Sequence, residues 1–218
     1  MITYIIIALT VVVSITAFSN RSLIERLIFY PPAVKRGEWH RLFTYGVLHA
    51  DYTHLIFNMF TLFFFGVDIE KAFQATFDMP TGSIYYILLY VTALPISIFP
   101  TYLKNKNNQA YHGLGASGSV SAIIFAYILI NPMNFMGVMF IPIWLPAFIF
   151  GIIFVAVSLW LDKKQSGGIN HSAHIAGGIY GIIFMVAVFA VMADINLVSE
   201  FMDKIRVNSL SDLIHIGY

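Results

Sequence analysis

The sequence predicts an all-α membrane protein with six transmembrane helices. Apolar residues make up 59% of its 218 positions and charged residues only 11%, and the mean hydropathy is +0.79. A soluble domain carries about 25% charged residues, so this chain lacks the charges to cover a surface in water. Lipid is therefore the expected solvent, and a lipid bilayer is the first partner that the composition indicates.

Six apolar segments are long enough to cross a bilayer, which requires about 20 residues at 1.5 Å per residue. Polar or turn-forming residues separate them, and they form one predicted domain over residues 1–193. The first segment lacks the basic stretch of a signal peptide, so we expect a retained span. The predicted spans are Ile2–Phe18, His54–Phe73, Ser83–Leu103, His112–Ile130, Ile143–Leu161 and His171–Ala193.

The net charge and the cysteine content exclude several classes of function. A net charge of +1 argues against a nucleic-acid surface. The absence of cysteine excludes disulfides, iron–sulfur clusters and thiolate metal sites, and no cofactor is predicted. Residues 194–218 form a short tail, in which Leu197, Val198, Phe201 and Ile205 predict an amphipathic helix at the membrane interface. The sequence predicts no particular oligomeric state.

Four polar residues lie at similar depth in alternate spans. His54 begins span 2 and Asn58 is one turn deeper, Ser117 is about five residues into span 4, and His174 is about three residues into span 6. Spans 2, 4 and 6 cross the membrane in the same direction, so all four residues are expected near one face, roughly 5–9 Å below the helix starts. A buried serine and histidine are the groups that nucleophilic acyl transfer requires.

Small residues predict that spans 4 and 6 pack closely. Gly177 and Gly181 form a Gly-x-x-x-Gly pattern, and span 4 is rich in glycine and serine near Ser117. His174 shares a helix face with Gly178 and Gly181, which places it against span 4. The Ser117 backbone N–H, near a helix start, and His54 and Asn58, one turn apart, are predicted to surround an oxyanion.

Together these residues resemble the rhomboid family of intramembrane serine proteases. The resemblance covers about Gly37–Gly181 and rests on three motifs: His54-x-x-x-Asn58, Gly115-Ala116-Ser117-Gly118, and Ala173-His174-x-x-Gly177-x-x-x-Gly181. It implies that Ser117 is the nucleophile, that His174 is its base with no third acid, and that Asn58 and His54 are oxyanion donors. Transmembrane protein substrates are the implied partners.

The resemblance also assigns supporting residues. It implies that Glu70 and Arg41 are structural and that the loop Asp162–Asn170 caps the site, with Gly167-Gly168 allowing it to move as a lid. The family often has Trp directly before the residue matched by Arg41, whereas this chain has His40 there and Trp39 one position earlier. This difference affects the packing of the first loop.

Two arguments about the membrane orientation give opposite answers. Nine of the twelve Lys and Arg residues lie in the loops on the active-site face, and by the positive-inside rule this face would be cytoplasmic. Bacterial rhomboids, which this chain resembles, present the site outward. We follow the family, and predict a multi-pass protein of the bacterial inner membrane whose active site is toward the outer face.

Alternatives remain for several of these features. His171 and His174 have the spacing of two zinc ligands, but no His-Glu-x-x-His motif occurs and no carboxylate lies at their depth, so no metal is predicted. His49 and His112 are interpreted as polar anchors at the interface. The protein class has two alternatives: a catalytically inactive rhomboid-like protein that binds membrane clients, and a small transporter.

Substrate entry is predicted between spans 2 and 5. Pro142 and Pro146 weaken the backbone hydrogen bonding at the start of span 5. Trp144 and Phe148 are therefore the expected gate residues.

Overall fold

The computed structural model describes residues 1–137, 142–164 and 169–216. Helix α1, Ile2–Phe18, has the bounds of the first predicted span. The long segment after it contains three short helices: α2 (Arg21–Leu27), α3 (Pro31–Lys35) and α4 (Arg41–Thr44). Asn20 caps α2, and prolines occupy the first two positions of α3, where no backbone N–H is needed.

Helix α5 (Tyr52–Thr61), a π-helical turn (Leu62–Gly66) and α6 (Val67–Phe77) form one continuous span-length helix. The next helix, α7, runs over Thr81–Asn105. Both extend a few residues beyond the predicted spans, because apolar residues alone do not mark where capping ends a helix. The Asp51 side chain accepts a hydrogen bond from the His54 backbone N–H at 2.7 Å and so fixes the start of α5.

Helix α8, Ser117–Ile130, begins five residues later than predicted. Residues 112–116 are instead loop, because Gly113 pairs with Phe29 through two backbone hydrogen bonds of 3.0 Å, and Gly115 N–H donates to the Tyr45 carbonyl. Gly115 has φ +114, which a helix cannot accommodate and which glycine adopts readily. Ser117 is therefore the first helical residue, and its predicted depth was wrong.

The start of span 5 was also predicted wrongly. Strands β1 (Phe135–Gly137) and β2 (Ile143–Pro146) pair in antiparallel fashion, and β3 (His215–Ile216) joins β2. Pro146 restricts the residue before it to extended conformations, so helix α9 begins only at Ala147 and runs to Lys164.

Helix α10, His171–Ala193, has the bounds of the sixth predicted span. In the tail, α11 (Leu197–Lys204) ends one residue before Ile205. Leu197 is buried against the core, and Lys204 Nζ donates to the Ile130 carbonyl at the end of α8 at 3.1 Å. The tail helix is thus docked on the bundle.

Three of the described helices are long and apolar enough to cross a membrane: Tyr52–Phe77, α7 and α10. Helices α1 and α8 are shorter apolar helices. Helix α10 is central and packs against α7, α8 and α9. The described helices thus form the all-α bundle predicted from the sequence, with the small sheet as an addition that the apolar pattern does not reveal.

Glu70 ties α1 to the bundle. Its fully buried carboxylate accepts hydrogen bonds from the Ile2 and Thr3 backbone N–H groups at 2.7 and 2.9 Å and from the Thr3 hydroxyl at 2.7 Å. These amides are in the first turn of α1, where no intrahelical acceptor exists, and an anion is favoured there. The contacts fit the structural role that the resemblance implies for Glu70.

Candidate active site

Ser117 stands at the N-terminus of α8 because the loop before it is held by backbone hydrogen bonds to Phe29 and Tyr45. Since Ser117 is the first residue of the helix, its backbone N–H has no acceptor within the helix, and within the described residues no other acceptor contacts it. The helix dipole places partial positive charge at this end. Ser117 therefore presents both its side-chain hydroxyl and an unbonded backbone N–H at the N-terminus of α8.

His174 lies in the first turn of α10, and Asn170 fixes that turn. The Asn170 side-chain oxygen accepts hydrogen bonds from the Ala173 N–H at 3.1 Å and the Ser172 hydroxyl at 2.9 Å. The Asn170 backbone carbonyl accepts from the His174 N–H at 3.3 Å. Asn170 caps the helix and thus fixes the position of the His174 side chain in its first turn.

The glycines bring α8 and α10 into backbone contact. A Cβ atom at Gly177 would overlap the Gly118 carbonyl oxygen, and one at Gly181 would overlap the Ala122 carbonyl oxygen. Only glycine permits this approach, as the sequence pattern predicted. Gly118 is adjacent to Ser117 and Gly177 is one turn from His174, so the contact places the two side chains on one cavity.

That cavity has a volume of about 750 Å³ and brings together all four predicted site residues. Helix α5 contributes His54 and Asn58, α8 contributes Ser117, and α10 contributes His174. The argument from span parity predicted this shared end. Residues that it did not select also line the cavity, notably Tyr111, Ser121, Phe154 and Asn170.

His54 faces the loop before Ser117, and Asn58 lies one turn further along α5. A Cβ atom at Gly115 would lie 2.6 Å from His54 Cε1, so the His54 ring packs directly on the Gly115 backbone. Asn58 is buried, and its Nδ2 donates to the His54 carbonyl at 2.9 Å. A side-chain amide has two N–H groups, so one donor remains for the cavity.

The hydrogen bond expected between a nucleophile and its base is not formed. His174 Nε2 is buried and has no hydrogen-bond partner among the described residues, which include Ser117. The His174 ring stacks on Phe154, with centroids 6.1 Å apart and planes at 28°, and meets His171 edge to face at 5.9 Å. In unliganded sites such catalytic hydrogen bonds are often long and tighten only with substrate.

His49 is buried and is not the interfacial anchor expected from the sequence. Its Nδ1 lies 2.9 Å from the Ser14 hydroxyl, which donates to the Val47 carbonyl at 2.7 Å, so Nδ1 carries the proton. Its ring contacts His54 edge to face at 4.9 Å. Burial, helped by His54, lowers the pKa of His49 to about 3. A neutral His49 thus packs against the His54 ring.

Asn170 also joins three separate parts of the chain. Its Nδ2 donates to the Thr101 hydroxyl on α7 at 2.8 Å and to the Tyr111 hydroxyl in the loop before α8 at 3.3 Å. Sequence reasoning passed over this residue, although asparagine immediately before an apolar run is a helix-start signal.

For the acyl transfer that the sequence predicts, we expect Asn170→Ala to lower kcat about 10-fold with a small change in KM, because a displaced His174 loses its alignment with Ser117. Asn196→Ala is the matched control, since Asn196 caps α11 in the same way but lies away from the cavity. Steady-state kinetics and melting temperatures of both variants check this prediction. Equal loss of activity in the two variants contradicts a positioning role for Asn170.

The comparisons with known proteins agree with this architecture. The family model described as the Rhomboid domain matches residues 36–191. The chain is 27% identical to RHOMBOID-like protein 12, mitochondrial, of Arabidopsis thaliana, over 76% of this chain and 51% of the relative. It is 25% identical to Rhomboid protease AarA of Providencia stuartii (83% and 66%) and 28% identical to Rhomboid protease GlpG of Haemophilus influenzae (72% and 74%).

The fold and the matched domain define an integral, multi-pass membrane protein. The chain belongs to the rhomboid family. It spans about half the length of the Arabidopsis relative, at 51%.

Proposed function

We propose that this protein is an intramembrane serine endopeptidase, a hydrolase that cleaves single-span membrane proteins with Ser117 as nucleophile and His174 as base. The observation that carries the proposal is the backbone contact of Gly177 with Gly118, because it puts a serine hydroxyl and an unpartnered imidazole nitrogen on one cavity. The relatives named as rhomboid proteases support the same activity.

The proposed reaction has two stages. His174 Nε2 takes the Ser117 hydroxyl proton while Ser117 Oγ attacks the peptide carbonyl carbon. The carbon–nitrogen bond then breaks, and the leaving amine takes that proton from His174. Water attacks the resulting ester with His174 again as base, which releases the acid product and restores the Ser117 hydroxyl.

The developing oxyanion needs hydrogen-bond donors at the cavity wall. Ser117, Asn58 and His54 all line the cavity, and the donors we propose are the Ser117 backbone N–H, the second Asn58 N–H and the His54 ring. The donors come from two helices, α5 and α8. Their relative position is set by the packing of His54 on Gly115.

A serine-directed reagent tests the proposed nucleophile. We expect a fluorophosphonate to label wild-type protein at Ser117 alone, since only an activated hydroxyl displaces its fluoride. EDTA is expected to leave activity unchanged. Mass spectrometry of the labelled peptide locates the adduct, and EDTA-dependent loss of activity that zinc restores would instead favour the His171 and His174 metal site.

We place the substrate entry between α5 and α9, with different residues from those the sequence suggested. Trp144 lies in strand β2, outside α9, and Phe148 lies in the first turn of α9 but is not among the residues that line the cavity. Phe57 of α5 and Phe154 of α9 do line it. The lid glycines Gly167 and Gly168 lie outside the described residues.

We expect Phe154→Ala to raise the cleavage rate of a transmembrane substrate a few-fold more than that of a short soluble peptide. The reason is that the peptide reaches the cavity from water and does not pass between the helices. Parallel assays of both substrates check this, with Phe150→Ala on the same helix as control. An equal change for both substrates contradicts a lateral gate at Phe154.

We also propose that the protein resides in a bacterial inner membrane with the active site toward the outer face. Because the chain has no cysteine, single cysteines report orientation directly. Lys106→Cys on the active-site face should react with an impermeant maleimide in intact cells, and Asp203→Cys on the opposite face should not. The reverse pattern, which the distribution of Lys and Arg favours, overturns this orientation.

A further inference from the structure

A second cavity of about 270 Å³ lies in the segment between α1 and α5. Arg21, Ile24 and Glu25 of α2 and Arg41 of α4 line it, and the Glu25 carboxylate is paired with Arg21 Nε. His112 lines both this cavity and the candidate active site, and its ring stacks on Tyr30 with centroids 4.9 Å apart and planes at 6°. We call this space the α2–α4 cavity.

Two arginines that line the α2–α4 cavity have guanidinium nitrogens without a hydrogen-bond partner among the described residues. Arg41 is held rigidly, because its Nη1 donates to the Glu25 and Ile28 carbonyls at 2.8 Å and its Nε donates to Glu38 at 2.7 Å. Arg21 Nε donates to Glu25 at 2.8 Å. Across the described chain, neither Arg41 Nη2 nor the two Nη groups of Arg21 have a hydrogen-bond partner. The planar fork of arginine matches the oxygens of phosphate.

An exposed tryptophan near Arg41 in the sequence indicates the membrane depth of this segment. Trp39 and Phe43, two residues before and after Arg41, are 69% and 43% exposed. Tryptophan and tyrosine are enriched at the membrane–water interface. Exposed Trp39 thus favours a position of this segment near the phosphate groups of a bilayer.

The charge of this face favours an anion. Its loops carry nine Lys and Arg residues against four acidic residues, Glu25, Glu38, Asp51 and Asp162. The other face carries the remaining three cations and seven acidic residues. An anionic headgroup is therefore attracted to the face that holds the α2–α4 cavity.

We propose that the α2–α4 cavity binds a phosphate group, the chemistry that an anionic phospholipid headgroup and free phosphate share. Arg41 supplies the fixed donor, and the exposed Arg21 side chain closes over the bound group. This binding does not depend on the proposed protease activity, so either proposal can fail without the other.

Binding is measured on the full chain in a non-ionic detergent, where no charged bilayer surface contributes. Native mass spectrometry with phosphatidylglycerol and thermal unfolding with inorganic phosphate distinguish the two sources of the group. We expect Arg21→Gln to weaken binding about fivefold. Ile24→Phe should also weaken it by filling the cavity without changing the charge.

Arg26→Gln is the matched control, because Arg26 is exposed on the same helix but does not line the cavity. It should bind like wild type. Competition by inorganic phosphate supports a site that recognises the phosphate group alone, and binding of phosphatidylglycerol alone supports a lipid site. Absence of binding by both ligands, equal weakening in Arg21→Gln and Arg26→Gln, or unchanged binding in Ile24→Phe overturns the proposal.

Discussion

Ser117→Ala and His174→Ala are each expected to abolish cleavage of a transmembrane substrate, with a fall in kcat of at least about 10³-fold. The double variant should be no worse than either single one, because nucleophile and base act as one unit. The measurement is product formation by purified protein in detergent with a helix-breaking single-span substrate. Ser117→Ala should fold normally, since among the described residues the Ser117 hydroxyl makes no hydrogen bond that folding would lose.

Ser121→Ala provides the matched control for this prediction. Ser121 is one turn along α8, and its side chain lines the same cavity. Ser119, by contrast, donates to the Tyr90 carbonyl at 2.9 Å and faces α7. Activity that survives in Ser117→Ala but fails in Ser121→Ala identifies Ser121 as the nucleophile.

Wild-type protein that binds the substrate without cleaving it supports the inactive, client-binding alternative instead, and uptake of a labelled solute into vesicles would favour the transporter.

The sequence predicted that helices α5, α8 and α10 begin at the same face of the bundle, because this depends only on counting spans. Alternate spans start on the same side, so His54, Ser117 and His174 had to share an end of the bundle. The contact of Gly177 with α8 was predictable for a similar reason, since small residues at a four-residue spacing permit backbone approach. Neither inference requires knowledge of loop structure.

The loop before Ser117 was not predictable in this way. Its conformation depends on hydrogen bonds to Phe29 and Tyr45, which lie some 70 to 85 residues earlier in the chain. Hydropathy continues through Gly113 and Gly115 without a break, so the pattern extended the helix back to His112. The consequence is chemical, because only the true start at Ser117 leaves its backbone N–H free for an oxyanion.

The start of α9 was missed because the prolines were weighed only as weak points in a helix. Pro146 also disfavours a helical conformation at Leu145, and pairing with Phe135–Gly137 makes this segment a strand. Trp144 therefore lies in the sheet, whereas Phe154, two turns into α9, lines the cavity.

The second large effect is expected at the oxyanion donors. Asn58→Ala should lower kcat about 10–10³-fold with little change in KM, because the oxyanion exists only in the transition state and the intermediate. The His54 carbonyl that Asn58 caps lies within α5 and keeps its helical partner, Asn58 N–H, so folding is expected to be preserved. Asn58→Asp tests the same donor with a side chain of equal size that has no N–H to offer.

Thr61→Val on the same helix is the control, because Thr61 lines the cavity but its hydroxyl donates to the Phe57 carbonyl at 2.7 Å. It should retain activity. His54→Ala should also lower kcat, with an added loss of thermal stability, because the ring fills the space against Gly115. A large fall in melting temperature for Asn58→Ala and Asn58→Asp, with unchanged specific activity of the folded fraction, would make Asn58 structural. In that case the Ser117 backbone N–H and His54 alone would have to hold the oxyanion.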